Sequence, residues 1–238
     1  MPDLQRPHHR AIAGVLEAMN AAFLDRAECY FGGGTCIALM LGEYRESRDI
    51  EFLFASRAGY RLLRETVAEH SLGRILRRSV PLAREVRADR DGIRTFFSVG
   101  ELRIKFEIIR EARIDLRSSP TRFLGVPVLA LDCVVAEKFL ANADRGLDES
   151  TQSRDLIDLA FVAAHYGDRP LQPGLLLAES AYGSAIRHYF DQGLARFAAD
   201  ARIASRCARA LGIDDLATLR KGISILRKLA GKMKALRG

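Results

Sequence analysis

The sequence predicts an α+β chain, a mixed β-sheet with flanking helices followed by an all-helical second half. Three observations carry this. Between residues 28 and 54 two short β-rich runs enclose a glycine turn and an apolar helical segment. Between 80 and 109 three more β-rich runs are separated by turn residues. After Pro127 apolar residues recur at helical spacing to the end of the chain. The change of character sets expected domains at 1–127 and 128–238, and a chain of this length can hold either one large domain or two small ones.

In chain order, Ile12, Val15, Leu16, Met19, Ala22 and Phe23 give residues 11–26 helical spacing. Residues 28–31 read as a strand entering Gly32-Gly33-Gly34, and 35–41 as a helix that starts at those glycines. A polar loop, 44–48, leads to the strand 49–54, and 60–70 is again amphipathic. The runs 80–86, 94–99 and 102–109 read as strands, the pair Asp91-Gly92 as a hairpin turn, and Pro81 marks the first run as an edge strand. Segments 131–142, 153–164, 175–182, 186–199, 202–211 and 214–233 read as helices, with a cap for the last in Asp214-Asp-Leu-Ala.

Composition narrows the function classes. The N-terminus has no apolar run behind its charges, so a signal peptide is not expected, and no stretch approaches the roughly 20 apolar residues of a membrane span. The four cysteines have no metal-ligand spacing and read as buried thiols in a reducing cytoplasm. A formal charge of +7 favours a polyanionic partner. The five histidines have no Ser or Cys partner in the pattern; His8 and His9 are expected in a frayed terminus and the others as structural.

The chemistry concentrates in residues 31–54. Glycines let a backbone approach a ligand closely, and amides at a helix start favour an anion such as phosphate. Strand alternation in Asp49-Ile-Glu51-Phe-Leu-Phe54 sends Ile50, Phe52 and Phe54 to one face and both carboxylates to the other. Two carboxylates so placed repel unless a cation lies between them. In Leu102-Arg-Ile-Lys-Phe-Glu-Ile-Ile109, Glu107 has the matching orientation, and if the two strands pair it adds a third carboxylate for Mg²⁺ or Mn²⁺. Lys105 on the same face offers the plain alternative of an ion pair with Glu107, and Glu101 and Asp115 are nearby substitutes for it.

Gly34-Thr35, thirteen residues, then Asp49-Ile50-Glu51-Phe52 resembles the glycine–serine…acid–hydrophobic–acid signature of the DNA polymerase β nucleotidyltransferase superfamily. Gly33-Gly-Thr-Cys-Ile-Ala-Leu with Arg45, Ser47, Asp49 and Glu51 is similar to one branch, the AbiEii/AbiGii toxin-like nucleotidyltransferases. Ala136-Glu-Lys138-Phe-Leu-Ala-Asn-Ala-Asp-Arg145 and Ser153-Arg-Asp-Leu-Ile-Asp158-Leu-Ala resemble that branch's later motifs, so the likeness spans about residues 30–165. Thr35 replaces the commoner serine and Glu51 the commoner aspartate.

The resemblance implies a nucleotidyltransferase sheet followed by a helical domain that closes the active-site groove. Asp49 and Glu51, with Glu107, would hold the metals; Gly33, Gly34 and Thr35 would grip the nucleoside triphosphate. Lys138 would contact phosphate, and Asp158, with Asp155 as second candidate, would complete the site. The implied reaction moves a nucleoside monophosphate from an NTP to a hydroxyl of RNA such as tRNA, or of a protein. The implied role is the toxin of a bacterial type IV toxin–antitoxin or abortive-infection system, cytoplasmic, with a cognate antitoxin as partner. The rival reading is a non-catalytic NTP- or RNA-binding protein that keeps the fold.

Overall fold

The strand Asp49–Phe54 buries Ile50, Phe52 and Phe54 on one face, as its alternation predicts, and the first half of the chain is built round that face. The computed structural model describes residues 3–235. Two units divide it: one runs through Glu43 and resumes from Ser47 to Ala130, and the other takes Tyr44–Glu46 and continues from Leu131.

The first unit contains α1 (Pro7–Glu17), α2 (Ala21–Arg26), β1 (Cys29–Gly32), α3 (Gly33–Met40), β2 (Asp49–Phe54), α4 (Arg57–Arg64), β3 (Leu82–Asp89), β4 (Gly92–Val99), β5 (Leu102–Arg110), β6 (Ser118–Phe123) and β7 (Val126–Leu129). The strands form one mixed sheet of seven, in the order β3-β4-β5-β2-β1-β7-β6. β2 runs parallel to β5 and antiparallel to β1, β7 runs parallel to β1, and the outer pairs are antiparallel hairpins. β3, the run containing the expected edge strand, lies at one edge of the sheet.

Phenylalanines on four adjacent strands meet in a row under the sheet. Ring centroids are 5.5 Å apart for Phe31–Phe52, 6.1 Å for Phe52–Phe106 and 5.2 Å for Phe97–Phe106. Ile12, Val15 and Leu16 of α1, with Phe23 and Leu24 of α2, belong to the same core.

Several expectations are corrected. The helix expected over 11–26 is two helices, because Asn20 accepts the N–H of Phe23 and starts a new one. The helix expected over 60–70 ends at Arg64. β6 and β7 lie between the last expected strand and the first expected helix of the second half, where no strand was expected. Pro120 stands in β6, which has a free edge, where a missing N–H is tolerated, and all four residues of β7 are buried. Residues 44–48, expected as a polar loop, bury Tyr44 and Arg45.

The second unit is helical: α5 (Leu131–Arg145), α6 (Arg154–Tyr166), α7 (Leu171–Tyr182), α8 (Ala185–Ala199), α9 (Ala201–Ala210) and α10 (Leu216–Ala235). Asp215, in the predicted capping run, accepts the N–H of Thr218 at the start of α10. Gly222 is the close-approach point between α6 and α10, since a Cβ there would strike the Ala160 carbonyl. No helix among the described residues is long and apolar enough to cross a membrane. The four cysteines form no disulfide among the described residues and are buried, and burial pushes the Cys29 and Cys36 thiols up.

Because Phe52 sits between two ring partners and is fully buried, Phe52→Ala should cost about 3–5 kcal/mol of folding free energy. Urea unfolding followed by circular dichroism measures it; an unchanged midpoint would mean that the aromatic row is not the core of the sheet.

Candidate active site

The backbone turns from β1 into α3 at Gly33, whose φ of +69° lies in the left-handed region open to glycine. A Cβ on Gly33 would lie 2.9 Å from Glu51 Cδ and closer still to Oε2. Gly32 pairs with Glu51 across the β1–β2 ladder, which explains the approach. The sequence therefore places glycine where the chain must pass against a carboxylate. Gly34 and Thr35 follow in the first turn of α3, where N–H groups point toward the same end.

Glu51 in turn faces Glu107, its register partner on the parallel strand β5, as the sequence expected if the strands paired. Asp49 stands opposite Lys105 in the same ladder and is exposed. Like charges at adjacent ladder positions repel, and two cations relieve that repulsion at Glu107: Lys105 Nζ at 2.6 Å and Arg94 Nε at 3.5 Å. The ion pair anticipated between Lys105 and Glu107 is thus present, which leaves Asp49 and Glu51 as the acidic end of the face. Among the described residues, the group of three whose ligand atoms all lie within 4.8 Å of one another is Glu69, His70 and Glu85, not Asp49, Glu51 and Glu107.

The donor chemistry suits Mg²⁺. Asp49 and Glu51 are hard oxygen donors on one face of one strand, and the missing Cβ of Gly33 leaves the Glu51 carboxylate beside a helix start where phosphate oxygens are favoured.

The other predicted residues belong to the helical unit. Lys138 of α5 is 5 % exposed, and its ammonium lies 2.9 Å from Asp155 Oδ1 and 2.8 Å from Asp158 Oδ2 on α6. Arg45 grips Asp158 with two prongs, Nε to Oδ1 at 2.7 Å and Nη2 to Oδ2 at 2.9 Å, and the Tyr44 hydroxyl donates to Oδ1 at 2.6 Å. Arg145 donates to both oxygens of Asp155. Tyr44 also stacks on Phe161, centroids 3.9 Å apart. Burial alone would raise the pKa of both aspartates, but the surrounding cations outweigh it and hold both carboxyls below the usual carboxylate range. Burial would lower Lys138, and the two aspartates reverse that. Asp155, the second candidate, is therefore as deeply engaged as Asp158.

Sequence reading missed the histidines of α1. His9, expected in a frayed terminus, is completely buried and bonded to Glu43 and to the Ser47 amide; His8 Nε2 reaches the Arg48 carbonyl at 3.0 Å. The signal was present: position 9 falls on the stripe continued by Ile12, Ala13 and Leu16.

The second unit also carries a basic groove. Arg202, Arg206, Arg209, Arg220 and Arg227 line it, over apolar residues that include Leu219 and Ile223.

A mixed sheet whose glycine turn abuts an acid–x–acid strand, followed by a helical unit, defines the nucleotidyltransferase class. Residues 14–222 match the family described as "Nucleotidyl transferase AbiEii toxin, Type IV TA system", and the chain belongs to that family. Among solved structures, it is similar to a Helicobacter pylori protein titled as a nucleotidyltransferase, at 14 % identity, TM-score 0.52 and 96 % coverage of both chains. JHP933 of Helicobacter pylori aligns at 15 % identity and TM-score 0.46 over 97 % of each chain. At 14 % identity the first of these likenesses speaks for the fold alone. No curated protein matches the chain.

The buried network makes a stability prediction. Lys138→Ala strips the shared cation from two buried carboxylates and should cost about 3–5 kcal/mol, measured by urea unfolding. Both aspartates have depressed pKa values, so their contribution is complete above the ordinary carboxylate pKa of about 4 and is lost as pH falls below it. Wild-type stability should therefore drop between about pH 4 and pH 2, and Asp155→Asn should shrink that drop. A variant with wild-type stability at neutral pH would remove the network from the fold's support.

Proposed function

We propose that the protein moves a nucleoside monophosphate from an NTP to an acceptor hydroxyl, with pyrophosphate as leaving group. The observation that carries this is the Glu51 carboxylate set against Gly33 at the start of α3, with Asp49 on the same strand face. In this reading the acceptor oxygen bonds to the α-phosphorus, the bond from that phosphorus to the bridging oxygen of the β-phosphate breaks, and the hydroxyl proton passes to solvent. Mg²⁺ (or Mn²⁺), when bound, supplies charge neutralisation for the triphosphate and activation of the attacking hydroxyl.

Asp49 and Glu51 would be its ligands, with Glu107 as an outer member that its two cationic neighbours hold in place. Gly33 lets the backbone come close, and Gly34 and Thr35 offer amides and a hydroxyl to phosphate oxygens. In-line displacement asks for positioning more than for covalent chemistry. Lys138 and Asp158 enter as positioning residues: they fix the segment Tyr44–Glu46, which continues directly into Ser47 and Asp49.

As a member of a type IV toxin family, the protein would act in the cytoplasm beside a cognate antitoxin. The groove of five arginines supports a polyanionic acceptor, RNA such as tRNA, over a protein.

Asp49→Asn and Glu51→Gln should each abolish pyrophosphate release from NTP plus total RNA, with unfolding midpoints close to wild type, and EDTA should silence the wild type. Pyrophosphate release by a folded Asp49→Asn protein would refute the site; no release by wild type with any NTP would favour the non-catalytic binding reading. RNA affinity should fall with salt at a log–log slope of roughly −0.7 per phosphate contacted on a single strand, while NTP binding responds far less. A flat RNA profile in a filter-binding salt series would point to a protein acceptor.

A further inference from the structure

His9 lies at the crossing of two short contacts. Its Nδ1 is 2.7 Å from Glu43 Oε1 and its Nε2 is 3.1 Å from the Ser47 backbone nitrogen. A peptide N–H only donates, so Nε2 must present its lone pair and the ring proton must sit on Nδ1, donated to Glu43. The imidazole is then neutral with its tautomer fixed. From Ser47 the chain of contacts continues, because Ser47 Oγ lies 2.6 Å from Thr35 Oγ1. His9 thus holds the amide of the residue whose hydroxyl orients the threonine assigned to the nucleotide. Two residues beyond Ser47 stands Asp49.

Glu43 is held as firmly. Its carboxylate also accepts the N–H groups of Gln5 and Arg6, and Arg6 Nε donates to its carbonyl. Its φ is +58°, directly after Gly42 at +78°. A glutamate in the left-handed region is uncommon and persists when its surroundings over-determine it. The chain between α3 and β2 is thereby bent at Gly42-Glu43 and pinned at Ser47, both through α1.

We propose that His9, paired with Glu43, is a positioning residue for nucleotide binding, which as a neutral imidazole fixes Ser47 and Thr35 and lets go of them on protonation. The inference rests on the nucleotidyltransferase reading of Thr35, Asp49 and Glu51. An imidazolium would carry a proton on Nε2 against the Ser47 N–H, two donors facing each other. The charged groups that act on His9 are Glu43 and Arg6; burial pushes its pKa below the ordinary histidine value, against the pull of Glu43. The neutral arrangement is therefore complete above about pH 6.5 and is lost as pH falls through the lower folded value.

The test combines nitrogen NMR of the imidazoles with calorimetric binding of Mg-ATP, Mg-GTP, Mg-CTP and Mg-UTP between pH 5 and 8. Wild type should show a signal from a histidine protonated on Nδ1 alone that is absent in His9→Gln, distinct from that of His165, whose Nδ1 donates to the Phe161 carbonyl and which persists in the variant, and NTP affinity that weakens at the acid end. His9→Gln should bind NTP at least tenfold more weakly at pH 7.5, with less acid-side weakening than wild type once the nucleotide's own titration, common to both, is subtracted. Glu43→Gln keeps an acceptor for Nδ1–H but removes the charge that favours imidazolium, so it should shift the acid limb to lower pH. Should His9→Gln fail to fold, the NMR signal and the Glu43→Gln shift decide.

A doubly protonated or Nε2-protonated His9 at pH 7.5, or a pH profile that neither variant moves, would overturn the proposal. If Asp49→Asn binds NTP as wild type does, or wild type binds none, the site reading has failed and takes this inference with it. If Asp49→Asn loses binding while both variants keep the wild-type profile, only the role of His9 is wrong.

Discussion

The close passage of the Gly33 backbone against the Glu51 carboxylate sets the terms for the first unit. It requires a residue without a Cβ and with access to left-handed φ, and it requires β2 to be registered on β1 so that Glu51 meets Gly32. That register in turn fixes which residues of β2 face inward. A slip by one residue would send Asp49 and Glu51 into the phenylalanine core and the phenylalanines into water. The charged face and the aromatic core are thus two consequences of one strand pairing.

The helical unit is governed by a different constraint, the burial of four charges from three segments. Asp155 and Asp158 lie one turn apart on α6; Lys138 bridges them, Arg45 closes over one and Arg145 over the other. Such a cluster is costly to desolvate and adds little stability over an apolar core of the same shape. Its hydrogen bonds are all made with Tyr44–Glu46 laid beside α6. That segment is separated by more than a hundred residues from the aspartate it serves, and it leads into Ser47 and Asp49.

Residues 43, 47 and 48 are held by α1 and the residues leading into it. His8 and His9 take the carbonyl of Arg48 and the amide of Ser47, and Glu43 takes the backbone at the N-terminus of α1. Residues 43–48 are consequently specified residue by residue: 43 and 47–48 by α1, 44–46 by the helical unit. A polar appearance in the sequence conceals this, since Glu43, Tyr44, Arg45 and Ser47 have partners distant along the chain.

What the sequence by itself determined is the local and periodic part of the protein. Alternation in 49–54 and 102–109 specified the strands and the outward side of Asp49, Glu51 and Glu107; the glycine turn specified the start of α3; helical spacing after Pro127 specified the all-helical second half. These depend on neighbours within a few residues, which a sequence displays directly. Tertiary structure alone decided the rest. That β5 lies beside β2, bringing Glu107 to Glu51 and Lys105 to Glu107, depends on strand order. β7 is too short and too proline-marked to announce itself, and it exists because β1 offers it a parallel partner. His9 and Lys138 carry no local sign of their partners, which lie 34 and 17–20 residues away. Hydrogen bonds and ion pairs act between atoms a few ångströms apart, and only the folded chain brings those atoms together.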